Sequence, residues 1–447
     1  MARRNLVWLL VVPGLVALGL AVTASAPPPD KDYQLVRTIV DVLAEVDKNY
    51  VRELSDADKK RLVEDMINGG LERLDPHSQY FNDDELANFE TQSEGQYGGI
   101  GIILAKDPRT RLLQVETPMP NSPAYDAGLQ AGDYILKIGD KSTADLTYED
   151  ARKLIKGPPG TPVTLTIART GATAEETVTL NRAVIVQHPV AGFKRDAADP
   201  AKWDYLFDKP NKIAAIRLST FSEKSADELK AAVEQAEKAG AEAVVLDLRD
   251  NPGGLLSQAA AVADLFLTEG PIVSTKNRRG GGRNWSAKPA GTIFEPAAQR
   301  PMAVLVNRGS ASAAEIVAAA LQDNGRAVVV GERSYGKGSV QKVFELPPGQ
   351  AAVKLTTEEW LRANGQSIHR WPDSTDAAPW GVKPDKGLEV ELTLAERIAH
   401  ARHLRQLEVI PGKNGKGPAA SDEKAVTPYV DKVLQKAIDH LKGKKAA

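Results

Sequence analysis

From Ile213 to Leu394 the chain alternates short apolar runs with amphipathic ones, and this alternation restricts the fold more than any other feature. "KIAAIRL", "AVVLDLR", "MAVLVN" and "AVVVGE" are apolar runs of strand length, the pattern of strands buried on both faces. Between them, "SADELKAAVEQAEKAG", "GGLLSQAAAVADLFL" and "SAAEIVAAALQDNG" carry helical spacing. Ser225 and Glu228 read as a capping box at the head of the first helix, and Gly240 as its stop. Strands separated by helices pair in parallel through crossovers, so the region predicts an α/β layer. The glycine-rich "RRGGGRNWSAKPAG" reads as a loop.

The flanking regions have other periods. From Asp32 to about Glu94, "YQLVRTIVDVLAEVDKNYV" and "DADKKRLVEDMINGGLERL" are helical, with Asp56 placed to cap the second; "LDPHSQYFNDDEL" reads as a structured connection. From Gln96 to about Arg182 the runs "GGIGIIL", "RLLQVETP", "DYILKIGD" and "TPVTLTIART" are strand-like, with helical "SPAYDAGL" and "TYEDARKLI" between them. After Ala395 two charged helical stretches are joined by the linker "PGKNGKGPAASDE". The domains expected are thus 1–29, an export segment; 32–94, helical; 95–183, β-rich; 184–395, α/β; and 396–447, a helical extension.

The first segment has a basic flank, Arg3 and Arg4, then an uncharged, largely apolar run from Leu6 to Val22 and the small-x-small triplet Ala24-Ser25-Ala26. That is the form of an export signal. Pro27 to Pro29 would hinder cleavage, so a removed signal peptide and an uncleaved inner-membrane anchor both stay open. Export predicts an extracytoplasmic protein of the periplasm or cell envelope. The chain has no cysteine, which excludes disulfides and thiol nucleophiles. Its net charge of −2 gives no basic field for nucleic acid.

"VVVGERSYGKGSV", Val328 to Val340, has the glycine and lysine spacing of a phosphate loop, and "AVVLD" resembles a magnesium-orienting strand. Three features oppose a nucleotide site. Position 338 is Gly where Mg²⁺ needs Ser or Thr, the following "SVQKVFELPPG" is β-like where a helix must open, and ATP is scarce outside the cytoplasm. A lysine beside glycines also suits a serine nucleophile with a lysine base. "VLVNRGSASAAEI" turns from strand to helix at Ser312, although Ser312 with Glu315 also reads as a simple capping box. "DLRDNPGGLLSQ" turns through Gly253 and Gly254 at another helix N-terminus, where backbone N–H groups can hold an oxyanion.

Together "DLRDNPGG", "NRGSASAAEI" and "GERSYGKGSVQ", preceded by "YGGIGI" and followed by "GVKPD", resemble the carboxyl-terminal processing (tail-specific) serine proteases from about Asp32 to Thr393. The resemblance implies a helical N-terminal domain, a PDZ domain, a crotonase- or Clp-protease-like α/β core and accessory C-terminal helices. It implies Ser312 as nucleophile, Lys337 as general base, Gln341 as the residue orienting the amine, and the Gly254 and Ala313 N–H groups as oxyanion hole. Ser310 is a rival nucleophile outside the motif position. Gly99, Ile100, Gly101 and Ile102 match the PDZ loop that holds a terminal carboxylate while the peptide adds as a strand. The expected partners are polypeptides with accessible C-termini, with a membrane tether, adaptor or oligomer left open and no metal or cofactor.

The chemistry is coherent with that resemblance. Lysine serves as base only when neutral, so its pKa must fall well below about 10.4, which burial achieves. Gln341 would hold the amine without adding charge, and no histidine is required. The other class left by the residues is a catalytically silent PDZ scaffold, against which intact Ser312, Lys337 and Gln341 argue. "GFKRDAADPAKWDYLFDKPN" and "HRWPDSTDAAPWG" are extended relative to the family, and "LRANGQSI" lacks the proline usual before its glycine.

Overall fold

A computed structural model describes residues 31–447 except 108–109, 170–173, 295–299, 348–350, 411–428 and 446–447. The expected export segment and the whole of the C-terminal linker lie outside the described residues. Among the described residues no helix is long and apolar enough to cross a membrane. The chain divides into two compact units, residues 1–73 and 74–447.

The first unit holds helices Lys31–Asn49 and Asp56–Glu72. Ser55, not Asp56, caps the second: its backbone is extended and its hydroxyl accepts from Asp58 N–H, while the Asp58 carboxylate accepts from Ser55 N–H. A cap needs an extended backbone, and Asp56 is already helical.

In the second unit, the five strands Ile102–Lys106, Leu113–Pro118, Tyr134–Ile138, Pro162–Ala168 and Glu175–Asn181 pair antiparallel in that order. Ile100, Val115, Leu129, Ile135, Leu165 and Ile167 fill the core of this sheet. The expected helices are present as Pro123–Asp126 and Tyr148–Ile155. Ile102–Lys106 lies at the sheet edge.

The α/β layer forms as the alternation predicts. Ile213–Leu218, Ala243–Asp247, Met302–Val306 and Val328–Gly331 pair in parallel, and Val190–Gly192 adds antiparallel at one edge. Successive residues serve opposite faces. Ala214, Ile216, Val244 and Leu246 pack with the helices Ser225–Lys238, Leu256–Asp264 and Ala313–Asp323. Ile213, Ala215, Ala243 and Val245 instead meet Val433, Leu434, Ala437, Ile438 and Leu441 of the C-terminal helix Lys432–Lys445.

The capping box expected at Ser225 is not formed. Lys224 is the cap residue, with a helical backbone, and the Ser225 hydroxyl accepts from Ser222 N–H and donates to Thr220 O. The turn before the helix takes up that hydroxyl. Gly240 does end the helix, at φ 96°. The glycine-rich stretch read as a loop carries a strand, Asn284–Ser286, paired with Pro271–Asn277.

A second antiparallel sheet is built on Ala351–Leu361. Ser339–Leu346 runs along one side of it, while Gln79–Phe81 and Pro271–Asn277 pair on the other. The turn Asp75–Ser78 is thereby brought against the strands that follow Lys337.

Candidate active site

Three turns leave the carboxyl ends of adjacent parallel strands, where open α/β sheets place their sites. The first, after Ala243–Asp247, contains Asn251, Gly253 and Gly254. Asn251 is fully buried; its amide donates to Leu218 O at 2.8 Å and its side-chain oxygen accepts from Gly253 N–H at 2.8 Å. A Cβ on Gly253, at φ 101°, would meet Ser312 Cβ at 2.8 Å and Ala313 N at 3.0 Å. Only glycine lets this turn lie flat against the turn that carries Ser312.

The second turn follows Met302–Val306. Ser312 sits at φ 54°, ψ −114°, just ahead of the helix Ala313–Asp323. Such a backbone costs about 1–3 kcal/mol and is a mark of functional turns. Ser310 is fully buried, accepting from Asn307 N–H and donating to Leu248 O. It is a structural member of the turn, whereas Ser312 is half-buried. Among the described residues neither Gly254 N–H nor Ala313 N–H has a hydrogen-bond acceptor.

The third turn, after Val328–Gly331, carries Lys337. Added Cβ atoms would strike Arg370 Cβ at 2.8 Å from Gly336 and the His369 backbone N at 2.9 Å from Gly338. The two glycines therefore admit the close wrapping of the 368–370 segment around the lysine turn. Trp360 fixes it further, its Nε1–H donating to Lys337 O at 2.9 Å and its N–H to Gly338 O at 2.8 Å.

Glu315 ties the second and third turns together, and the sequence reading took it only for a helix cap. Fully buried, it accepts Ser312 N–H and Lys337 N–H on Oε2, both at 2.8 Å, and Gly336 N–H at 2.6 Å and the Ser334 hydroxyl at 2.5 Å on Oε1. Burial pushes its carboxyl up, and the four donors pull the other way. One carboxylate oxygen thus bridges the backbones of the two residues read as nucleophile and base.

The Lys337 ammonium makes no hydrogen bond or ion pair among the described residues. Its pKa is lowered from the ordinary value, by burial first and by the nearby charge of Lys354 second, against Asp75 and Glu315. His77, lowered to about 4 by burial and by Lys337, and His369, lowered by burial, are neutral neighbours. Gln341 lies on the adjoining strand, and its Nε2 donates to Ser339 Oγ and Thr356 Oγ1, both at 3.0 Å. Thr356 Oγ1 donates in turn to Asp75 Oδ1 at 3.0 Å, a link between sequence-distant residues that no local spacing signals.

The Gly99–Ile102 loop lies away from these turns. Gly101 has φ 74°, and a Cβ there would meet Ser122 Cβ at 2.2 Å. The Ile100 and Gly101 carbonyls accept from Ala124 N–H and Met119 N–H. Their own N–H groups have no acceptor among the described residues.

Fold and turns define a serine peptidase core joined to a PDZ domain. The profile of peptidase family S41 matches residues 212–387 and that of the PDZ domain residues 114–169. A carboxy-terminal-processing protease of Bartonella bacilliformis is 35% identical over 81% of this chain and 79% of its own length. A carboxyl-terminal-processing protease of a Synechocystis species is 36% identical over 76% and 74%. The solved photosystem II D1 C-terminal processing protease is 27% identical, covering 78% of this chain and 86% of its own, with a TM-score of 0.42. The chain belongs to peptidase family S41, among its carboxyl-terminal processing serine proteases.

Proposed function

We propose that this peptidase is an exported endopeptidase that takes the C-terminal tail of a polypeptide on its PDZ domain and cleaves it with a Ser312–Lys337 dyad. The observation that carries the dyad is the single Glu315 oxygen accepting from the backbones of both residues. Neutral Lys337 takes the Ser312 Oγ proton as the oxygen attacks the peptide carbonyl carbon. The tetrahedral oxyanion is held by the Gly254 and Ala313 N–H groups, which have no other acceptor among the described residues. The Lys337 ammonium returns the proton to the leaving amine, and water, activated by the same lysine, hydrolyses the acyl-enzyme. Gln341 spends its amide N–H groups on Ser339 and Thr356, which leaves its Oε1 to orient the Lys337 amine.

Two free N–H groups at Ile100 and Gly101 suit a terminal carboxylate, and the open edge of Ile102–Lys106 suits the added strand. The N-terminal apolar run supports work in the periplasm or cell envelope, tethered or free. The test is cleavage of a tailed peptide by the purified protein. Ser312→Ala and Lys337→Ala should each reduce turnover by at least about 10³-fold while the peptide still binds. Wild-type-like turnover by either would overturn the dyad. A C-terminally amidated peptide should bind weakly, and cell fractionation tests the location.

A further inference from the structure

The surroundings of Lys337 hold a second lysine that the dyad does not use. Lys354, on the strand Ala351–Leu361, stands opposite Gln79 on one side and Val343 on the other. Its ammonium lies 5.0 Å from the Phe81 ring and 5.8 Å from the Phe89 ring, and those rings stack at 5.2 Å. Two aromatic faces thus hold a cation without neutralising it.

The same cluster contains one short-chain carboxylate, Asp75. It accepts His77 N–H, Ser78 N–H and Thr356 Oγ1–H on Oδ1, and Ser78 Oγ–H on Oδ2. Burial pushes this carboxyl up, but the bonds from Ser78, His77 and Thr356 bring it below the ordinary range, so it is an anion at neutral pH. Asp75 acts on both lysines, raising each, and neither forms an ion pair with it among the described residues. The other titratable groups facing the cluster among the described residues are Glu315, His77 and His369, with Glu359 acting on His369.

We propose that Lys354 is a positioning residue of the dyad: fixed on Phe81 and Phe89, it is the cation that balances Asp75, so that Asp75 does not become the counter-ion of Lys337. The inference rests on the reading of Lys337 as the base. With Lys354 present Asp75 already has a cation beside it, and the Glu315 carboxylate is taken up by four other donors, so a second ammonium has no carboxylate to itself. Without it, the Lys337 ammonium would gain Asp75 as its partner and lose a like charge, and both changes favour protonation. Activity that needs the neutral amine would then require higher pH.

The experiment measures the rate at which a fluorophosphonate probe phosphonylates Ser312, with loss of fluoride, across pH, in the full chain. Lys354→Met should move the acid limb of that rate upward by about one pH unit, lowering labelling below the limb about tenfold, with recovery at higher pH. Lys354→Arg should keep the wild-type midpoint, and Asp75→Asn should move it downward. A Lys354→Met limb at the wild-type midpoint, with a lower rate at every pH, would overturn the proposal and leave Lys354 a packing residue. Should Lys354→Met not fold, the midpoint of Asp75→Asn decides: unchanged, it overturns the proposal. Lys337→Ala separates the two readings. If it loses probe labelling while Lys354→Met leaves the limb in place, the dyad stands and only this proposal falls; if it keeps the wild-type limb, the dyad itself falls.

Discussion

Two interior basic residues, Lys337 and Arg249, follow strands of the same parallel sheet on either side of Met302–Val306 and receive opposite treatment. Arg249 is 4% exposed and bonded to two carboxylates, Asp247 at 2.6–3.1 Å and Asp431 at 2.7–2.9 Å. Burial opposes its charge, yet the two carboxylates raise its pKa above the ordinary value. Among the described residues Lys337 is left without an ion pair, and burial lowers it. The difference teaches that a buried position does not decide a cation's state; the supply of counter-ions does. Among those residues two carboxylates bond the arginine that locks the sheet and none bonds the lysine proposed as the base.

That comparison can be broken from either side. Arg249→Met would leave Asp247 and Asp431 buried without their cation, and should cost about 3–5 kcal/mol of stability, read by urea titration. A loss under 1 kcal/mol would show that the triad is dispensable. Glu315→Gln keeps the size of the tie between the turns but replaces one acceptor oxygen by a donor amide. It should cost about 1–3 kcal/mol and slow probe labelling of Ser312 at every pH, because the turns lose their common anchor. Unchanged labelling would remove Glu315 from the positioning of the site. Asp431→Asn should have the smallest effect, since an amide oxygen can still accept from Arg249. Burial pushes the Asp431 carboxyl up, but Arg249 holds it below its ordinary value. A group depressed in this way adds stability above its unfolded pKa of about 3.9 and loses it as pH falls through the folded value. The stability gap between wild type and Asp431→Asn should therefore close in acid, below about pH 4, and a pH-independent gap would contradict the ion pairing.

The strands and helices of the core were legible because each apolar run had one reading at its length, and so were the turns that carry Ser312, Lys337 and Gly254, whereas the roles given to these three residues came from the family resemblance. Lys432–Lys445 was visible as a helix from its spacing. That it covers one face of the parallel sheet was not, since its apolar residues Val433, Leu434, Ala437, Ile438 and Leu441 fit any core. Glu315 was seen as a local cap because its contacts with Gly336 and Lys337 arise only when two turns far apart in sequence meet. Asp75 and Lys354 were invisible for the same reason: their link to Lys337 depends on Gln79–Phe81 pairing with Ala351–Leu361. The misread caps at Asp56 and Ser225 were lost to neighbours one residue away or to a competing turn.

Ser312 also has a bearing on how inactive forms of the protein should be made. Its positive φ is a conformation that glycine adopts freely and that alanine resists as serine does. Ser312→Gly and Ser312→Ala both delete the hydroxyl proposed as nucleophile, but the glycine chain should resist urea better than the alanine chain, by about 1 kcal/mol. An inactive enzyme sturdier than the active one would mean that the working serine is kept taut at the expense of the fold, and that relaxing the turn and disarming it are the same event.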